Sequence, residues 1–348
     1  MRSGNFKQSF REQLALTDSW PVRIWYGLVF AVLLVLPLVA SPYLTGFVTT
    51  ILFTLVGALG LTVLTGFTGL VSLGHVAFLV LGGYTYAIAT GRFDLHPALA
   101  FLLSGVVPAV AGLLVGLPSL RLKGLYLAIT TLAFAFIVYS LILAGGDFTG
   151  GGRGLTVSRP RMFGISFSSD RALYWLCLAV AVLTLFGVLN IRRSKLGRAF
   201  MAIRDNDLAA VSMGISLTAY KLLAFLISSF VTGLAGTLMV LFINIANVEG
   251  FPFLLSIEAV AILIVGGLGS VLGTVIGTVF MVSLPEVSNH LLGAVSGALG
   301  LQLNSAALEI KGILYGCAIV GFLLLDPKGL VGLWVDLKRL WVSRPMRY

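Results

Sequence analysis

Charged side chains are scarce in this sequence: Asp, Glu, Lys and Arg make up only 10% of its 348 residues. Ordinary soluble domains carry about 25%. At the same time 58% of the residues are hydrophobic and the mean hydropathy is +1.05. A soluble protein of this size could not bury so much apolar surface, because a folded chain still exposes a large area to water. The composition therefore excludes an ordinary soluble domain and indicates a membrane protein.

Several kinds of chemical site are also missing. Cys177 and Cys317 lie in hydrophobic runs without metal-ligand spacing, so we expect them to be packing residues and expect no metal. No Walker-type phosphate loop is present, so the chain is not expected to hydrolyse ATP by itself. No paired acids stand together within the hydrophobic runs, which argues against a proton relay. We expect no catalytic residues and no cofactor.

Hydrophobic runs recur along the whole chain, and crossing a bilayer takes roughly 20 mainly apolar residues. Because backbone polar groups in lipid must be paired within each segment, the expected fold is an all-α, polytopic transmembrane bundle forming a single domain over 1–348. We expect eight to ten crossings; the pair at 257–284 is short, which leaves a broken or re-entrant element open as the alternative. The candidate runs are 24–40, 46–64, 76–90, 97–117, 126–143, 172–189, 222–242, 257–268, 271–284 and 308–325.

The net charge of +10 is explained by membrane topology and does not require a nucleic-acid partner. With the N-terminus inside and ten crossings, seventeen Lys and Arg residues face the cytoplasm and five face outward, as the positive-inside rule demands. Both termini are therefore expected in the cytoplasm. The first run follows a long mixed-charge lead, so a retained helix is favoured over a cleaved signal peptide. The cytoplasmic segments would be 1–23, 190–221 and the basic tail 326–348.

Two glycine-rich stretches predict irregular helices. In "GGLGSVLGTVIG", Gly269, Gly273 and Gly277 recur at i+4, which predicts one small-residue stripe on a helix for close packing. A second interpretation, compatible with close packing, is that the helix breaks near Gly266 and Gly267 and that this break lines a transport pathway.

The second stretch, "LTGFTGLVSLGHVAFLVLGGYT" at 64–85, is too polar and too rich in glycine to be an unbroken span. Irregular backbone at membrane depth must be buried in protein or line a cavity. The polar residues that need partners there, and that become pathway candidates, are Thr65, Thr68, Ser72 and His75.

Two of these polar positions, and one acid further along, have alternative interpretations. Ser72 and His75 could share a helical face as nucleophile and base, but no orienting third group accompanies them. His75 is better interpreted as a buried or pathway-lining group. Glu258 begins a predicted span and is the acid best placed to enter the membrane; an interfacial position and a role in the pathway both remain open.

Residues 194–216 form a strongly charged segment between two hydrophobic runs. Their pattern predicts two short helices: the first ends near Arg204, Asp205 and Asn206 break the pattern and cap the second, and Gly214 stops it. An amphipathic loop lying on lipid headgroups and a docking surface for a cytoplasmic partner are both open on the residues alone. The apolar positions are Leu196, Phe200, Ile203, Leu208 and Val211.

An ordered set of motifs covers most of the chain and resembles one family. The stretches "LTGFTGLVSLGHVAFLVLGGYT", "LKGLYLAITTLAF", "TGGGRGL", "GRAFMAIRDNDLAAVSMGIS", "SIEAVAILIVGGLGSVLGTVIG" and "DPKGLVGLW" are similar, in order and spacing, to permeases of branched-chain amino-acid ABC importers of the LivM type. Leu70 and Arg153 depart from the family's usual Gln and Asn. Urea permeases are the nearest alternative, and an ion-coupled secondary transporter is the alternative of another class.

The resemblance implies that the segment 190–221 holds a coupling helix that docks on an ATPase. It also implies a related permease subunit as heterodimer partner, two ATPase subunits, a periplasmic substrate-binding protein and a bacterial inner membrane. Independently of the resemblance, the residues themselves make Gly266, Gly267 and Glu258, with the polar residues of 64–85, candidates for the substrate pathway. Carried over residue by residue, the ATPase contacts are Gly197, Arg198, Ala202, Arg204, Asp205, Asn206, Ala209, Ala210 and Gly214.

Overall fold

The computed structural model describes residues 20–299 apart from 121, 123, 163 and 164, together with 313, 315–317, 319–322, 324 and 329–333. The segment before Trp20, much of the expected run 308–325 and most of the basic tail lie outside these described residues.

Eleven α-helices form almost all of the regular structure in the described part of the chain. They are α1 (Trp20–Val39), α2 (Pro42–Leu61), α3 (His75–Gly91), α4 (Pro97–Ser119), α5 (Leu125–Ala144), α6 (Asp170–Arg193), α7 (Lys195–Asp205), α8 (Asp207–Ser212), α9 (Leu217–Ile243), α10 (Leu254–Gly266) and α11 (Val271–Leu299). A π-helical turn, Thr62–Phe67, continues α2.

The connection between α5 and α6 carries short irregular elements. Two 3-10 turns, Gly146–Phe148 and Gly151–Arg153, precede three of the four strands: β1 (Leu155–Thr156), β2 (Arg161–Met162) and β3 (Ile165–Ser166). Strand β4 (Ile245–Ala246) follows α9 and pairs antiparallel with β1, while β2 pairs with β3. This connection therefore closes over the end of α9.

Five segments are long and apolar enough to cross a membrane: Pro42–Phe67, Pro97–Pro118, Leu125–Ala144, Asp170–Arg193 and Leu217–Ile243. Shorter apolar helices lie at Gly27–Val39, Leu254–Gly266 and Val271–Val287. The expected polytopic all-α bundle is confirmed for the described residues. The number of crossings stays a prediction.

Helix α9 lies at the centre of the bundle and packs closely through glycine. A Cβ added at Gly82 of α3 would overlap the carbonyl of Gly233, and one at Gly236 would overlap the carbonyl of Leu79. On the other side, a Cβ at Gly233 would overlap the carbonyl of Ser104 in α4. Backbones this close maximise dispersion contacts, which is how helices associate where lipid provides no hydrophobic driving force.

The prediction for 269–284 is wrong in two details. Gly269 does not belong to a helical stripe: it lies in the turn before α11 with a φ of 79°, a left-handed conformation that glycine adopts at no steric cost. Of the three glycines of the predicted stripe, Gly273 and Gly277 are on α11, where they pack against Gly266. The helix also continues beyond residue 284, through Pro285, since membrane helices tolerate an interior proline.

Candidate functional site

Helix α7 is held against the bundle by its apolar stripe. Its first turn is capped by Ser194, whose Oγ accepts from the backbone N–H of Leu196 at 3.1 Å and of Gly197 at 3.4 Å. Phe200 and Ile203 are fully buried, and the Phe200 ring meets the ring of Tyr220 edge-on at 6.2 Å between centroids. The stripe expected from the sequence therefore faces the protein itself.

Helix α8 points its large apolar side chains outward. Asn206 caps it, since its Oδ1 accepts from the backbone N–H groups of residues 208 and 209 at 3.0 and 3.1 Å. Leu208 is 79% exposed, Val211 51% and Met213, just after the helix, 81%. Three large apolar side chains on such a polar loop form an unusual exposed patch, which we call the α8 knob.

A buried ion pair fixes the direction in which α8 points. Lys221, near the start of α9, places its Nζ 3.4 Å from Oδ2 of Asp207, the first residue of α8. Only 4% of the Lys221 side chain is exposed. Because a buried ammonium is costly without a partner, this pair holds α8 onto α9 with the α8 knob facing away from the bundle.

Arg204 joins the loop to the two irregular segments in the bundle. Its Nη1 donates to the carbonyl oxygen of Gly66 at 3.1 Å, and its Nε and Nη2 donate to Oδ1 of Asp205 at 3.1 and 3.0 Å. A Cβ at Gly69 would lie 3.0 Å from Arg204 Cγ, and one at Gly269 would lie 2.6 Å from Arg204 Nη1. We call this arrangement of Arg204 between Gly66, Gly69 and Gly269 the arginine bridge.

The break predicted within 64–85 is confirmed. Between the π-helical turn and α3, residues 69–74 are not helical. Thr65 Oγ1 donates to the carbonyl of Leu70 at 3.0 Å, and Thr68 Oγ1 donates to the carbonyl of Leu64. Ser72 Oγ accepts from the N–H of Gly74 at 3.3 Å. The polar groups of the break are thus satisfied largely by its own backbone.

His75 is buried at the first position of α3. A Cβ added to Gly57 of α2 would come within 3.2 Å of its Nε2, so the imidazole packs directly on that helix. Within the described part of the chain Ser72 and His75 are not hydrogen-bonded to each other. No geometry supports the nucleophile and base interpretation.

The second break, between α10 and α11, lies beside the first. Gly267 has a φ of 117° and Gly269 of 79°, so the chain reverses over glycines, as the sequence predicted near Gly266. A Cβ at Gly66 would lie 3.2 Å from the backbone nitrogen of Gly269, so the two breaks are in contact. The hydroxyls of Thr62 and Thr274 are also hydrogen-bonded at 2.7 Å.

Glu258 lies on α10 and is only 6% exposed. It lines a cavity of about 560 Å³ between α2, α9, α10 and α11. The Tyr315 hydroxyl lies beside its carboxylate.

The residues expected to contact an ATPase divide by exposure. Gly197 and Ala210 are buried within the chain and Ala202 is half-buried. A Cβ at Gly197 would overlap the carbonyl of Ile191, so this glycine serves packing between α6 and α7. The exposed members are Arg198, Arg204, Asp205, Asn206, Ala209 and Gly214.

Sequence reasoning missed the Lys221–Asp207 pair and the acceptor of Arg204. Both contacts join residues on different elements, 14 and 138 positions apart. The usable signal is Lys221 itself, a cation directly before the apolar run 222–242 and one turn inside α9, since a cation that becomes buried needs a partner.

Comparison with known proteins places these features in a family. The model of the branched-chain amino acid transport system permease component matches residues 43–323. The chain is 37% identical over 262 residues to the high-affinity branched-chain amino acid transport system permease protein LivM of Salmonella typhimurium, and 35% identical to that of Escherichia coli. Each alignment covers 68% of this chain and 61% of the relative. The chain therefore spans less than two thirds of the length of either LivM protein.

A more distant relative is matched over a larger share of its length. The chain is 27% identical over 300 residues, covering 81% of itself and 90% of the relative, to the probable branched-chain amino acid transport permease protein LivH of Methanocaldococcus jannaschii. No solved structure gives a significant match. With its five long apolar helices, the chain is an integral membrane protein that belongs to the branched-chain amino acid transport permease family.

Proposed function

We propose that this chain is the permease subunit of an ABC importer for branched-chain, hydrophobic amino acids in a bacterial inner membrane. Both of its termini would face the cytoplasm. It would work with a related permease subunit, two ATPase subunits and a periplasmic binding protein, and would carry no catalytic residue of its own. The names of its relatives support the solute class, and the geometry of residues 194–221 supports the coupling role.

The α8 knob is the observation that carries the coupling role. Leu208, Val211 and Met213 are exposed on a segment rich in charge, where burial against a partner would remove a large apolar area from water at about 25 cal/mol per Å². Asp205 beside the knob repels anionic lipid, which favours a protein partner over the headgroup surface. The Lys221–Asp207 pair keeps the knob turned outward.

The arginine bridge connects α7 and α8 mechanically to the two broken segments of the bundle. A force on α8 reaches α7 through the single residue between them, Asn206. From α7 it passes through Arg204 to the carbonyl of Gly66 and to the turn at Gly269. Rigid-body movement of packed elements is a standard way of transmitting a change between sites, and here both broken segments share one contact point.

The decisive experiment removes the knob without changing charge. In Leu208→Ser/Met213→Ser, we expect ATPase subunits to bind roughly 30-fold more weakly, because a central apolar interface residue contributes about 2 kcal/mol. ATP-driven uptake of labelled leucine into proteoliposomes should fall in parallel. Thr218→Ala, an exposed change at the start of α9, is the matched control. Equal ATPase binding by the double variant and the control would refute the assignment.

The same proteoliposomes separate this proposal from an ion-coupled carrier. Uptake should require ATP and the ATPase subunits, and it should survive ionophores that collapse proton and sodium gradients. Gradient-driven uptake by the purified chain alone would reject the ABC importer.

A further inference from the structure

The motif "DPKGLVGLW" lies near the C-terminal end of the sequence, and the structure describes its residues 329–333. We call 329–333 the C-terminal segment. Within it Gly329 is buried, and Leu330 packs against an apolar cluster that includes Leu61 of α2 and Val265 of α10. The C-terminal segment is therefore anchored where α2 and α10 meet.

The backbone of Gly329 lies directly on the second break. Gly329 has a φ of 63°, a left-handed conformation that glycine adopts at no steric cost. A Cβ added there would lie 2.6 Å from the carbonyl oxygen of Val265, 2.7 Å from the backbone nitrogen of Gly267 and 2.9 Å from the carbonyl carbon of Gly266. All three are backbone atoms, which cannot swing aside as the end of a flexible side chain can. Any residue larger than glycine at 329 would therefore push the C-terminal segment off the break.

The same turn meets the arginine bridge two residues further along. The backbone N–H of Ser270 donates to the carbonyl of Gly267 at 3.2 Å, so residues 267–270 form one hydrogen-bonded turn. A Cβ at Gly269, within this turn, would lie 2.6 Å from Arg204 Nη1. The turn 267–270 therefore contacts the C-terminal segment at its start and the arginine bridge near its end.

We propose that Gly329 is a positioning residue for coupling: its backbone supports the turn 267–270, so that a displacement of Arg204 moves α10 and α11. The inference rests on the proposed coupling role of Arg204. Glycines give the turn little stiffness of its own, and without a support the turn would bend when Arg204 moves and transmit nothing. The C-terminal segment, anchored by Leu330, provides that support. Gly329 acts through the turn and not on the solute.

The first measurement follows the turn itself and requires no transport. Hydrogen–deuterium exchange of the peptide that contains 267–270 is followed by mass spectrometry in the complete complex in detergent. In Gly329→Ala the new Cβ and the left-handed φ displace the C-terminal segment, so we expect exchange at 267–270 to become at least about fivefold faster through local opening. Gly321→Ala is the matched control, since a Cβ there meets no atom within 4 Å. It should leave the exchange unchanged.

The second measurement is leucine imported per ATP hydrolysed by the complete complex in proteoliposomes. Gly329→Ala should lower this ratio about fivefold. Leu330→Ala removes the anchor without adding a clash, so it should lower the ratio less, and it keeps the test decisive if Gly329→Ala does not assemble. Because both changes would interrupt one path, Gly329→Ala should cause no further loss in an Arg204→Gln background. Gly82→Ala, which disturbs the packing of α3 on α9, controls for general instability and should leave the ratio unchanged.

Unchanged exchange at 267–270 in both Gly329→Ala and Leu330→Ala would overturn the proposal, because the turn would not depend on the C-terminal segment. Faster exchange with import per ATP equal to that of Gly321→Ala would make Gly329 a packing residue only, and additive losses in the Arg204→Gln background would also exclude the positioning role. If the unaltered complex imports no leucine with ATP, the proposed function fails instead. Exchange would still become faster in Gly329→Ala in that case, which distinguishes the two failures.

Discussion

The guanidinium group of Arg204 is the point at which the segment 194–216 touches both broken segments. If the proposed coupling role holds, we expect Arg204→Gln to uncouple ATP hydrolysis from uptake. The variant loses the Nη1 bond to Gly66 and the positive charge beside it. A hydrogen bond from a charged donor contributes about 1.5–3 kcal/mol. Because 36% of the Arg204 side chain is exposed, solvent screening reduces this to about 1–2 kcal/mol.

A loss of that size changes an equilibrium by a factor of roughly 5–30. The assay is leucine imported per ATP hydrolysed in proteoliposomes, with chain folding followed by thermal unfolding in detergent. Lys195→Gln is the matched control, since Lys195 is an exposed cation on the same helix and is not among the expected ATPase contacts. Arg204→Glu should give a larger defect, because a carboxylate would repel the Gly66 carbonyl.

Gly269→Ala perturbs the arginine bridge at its contact with the second broken segment. Its Cβ would lie 2.6 Å from Arg204 Nη1, and its φ of 79° is unfavourable for alanine by about 1–2 kcal/mol. If both changes act on one contact, the double variant should be no more uncoupled than the worse single variant. Additive defects, or import per ATP in Arg204→Gln equal to that in Lys195→Gln, would refute the bridge.

Two further predictions concern stability. Gly82→Ala should lower the free energy of unfolding by about 3 kcal/mol, since the new methyl would overlap the Gly233 carbonyl; Gly91→Ala on the same helix meets no atom within 4 Å and is the control in thermal unfolding. Lys221→Met should lower the free energy of unfolding by about 1.5–3 kcal/mol, because the Asp207 carboxylate loses one charged hydrogen-bond donor, and adding Asp207→Asn should restore part of that loss. Equal melting temperatures within either comparison would contradict the packing or pairing described.

The features that the sequence predicted well are governed by local chemistry. Asn206 caps α8 and Gly267 reverses the chain because both effects depend only on nearby backbone. The break in 64–85 was foreseen for the same reason. In the sequence, Leu208 and Phe200 are both apolar positions on a short helix. Only the packing of these helices on the bundle makes Phe200 buried and leaves Leu208 exposed.

The features that it missed are tertiary. Nothing near Arg204 in the sequence indicates that its acceptor is the carbonyl of Gly66, because the two meet only when the bundle assembles. The burial of Glu258 likewise depends on neighbours from other helices. The predicted run stops at residue 284, whereas the helix continues through Pro285.

The lengths of α6 and α9 set the scale of any movement between the two ends of the molecule. Helices of 24 and 27 residues are about 36 and 40 Å long at 1.5 Å per residue. A tilt of about 5° around one end of such a rod displaces the other end by about 3 Å, roughly the width of a water molecule. A small angular change where α7 and α8 join these helices therefore suffices to admit or expel a water molecule at the opposite ends of α6 and α9, without any helix having to unfold.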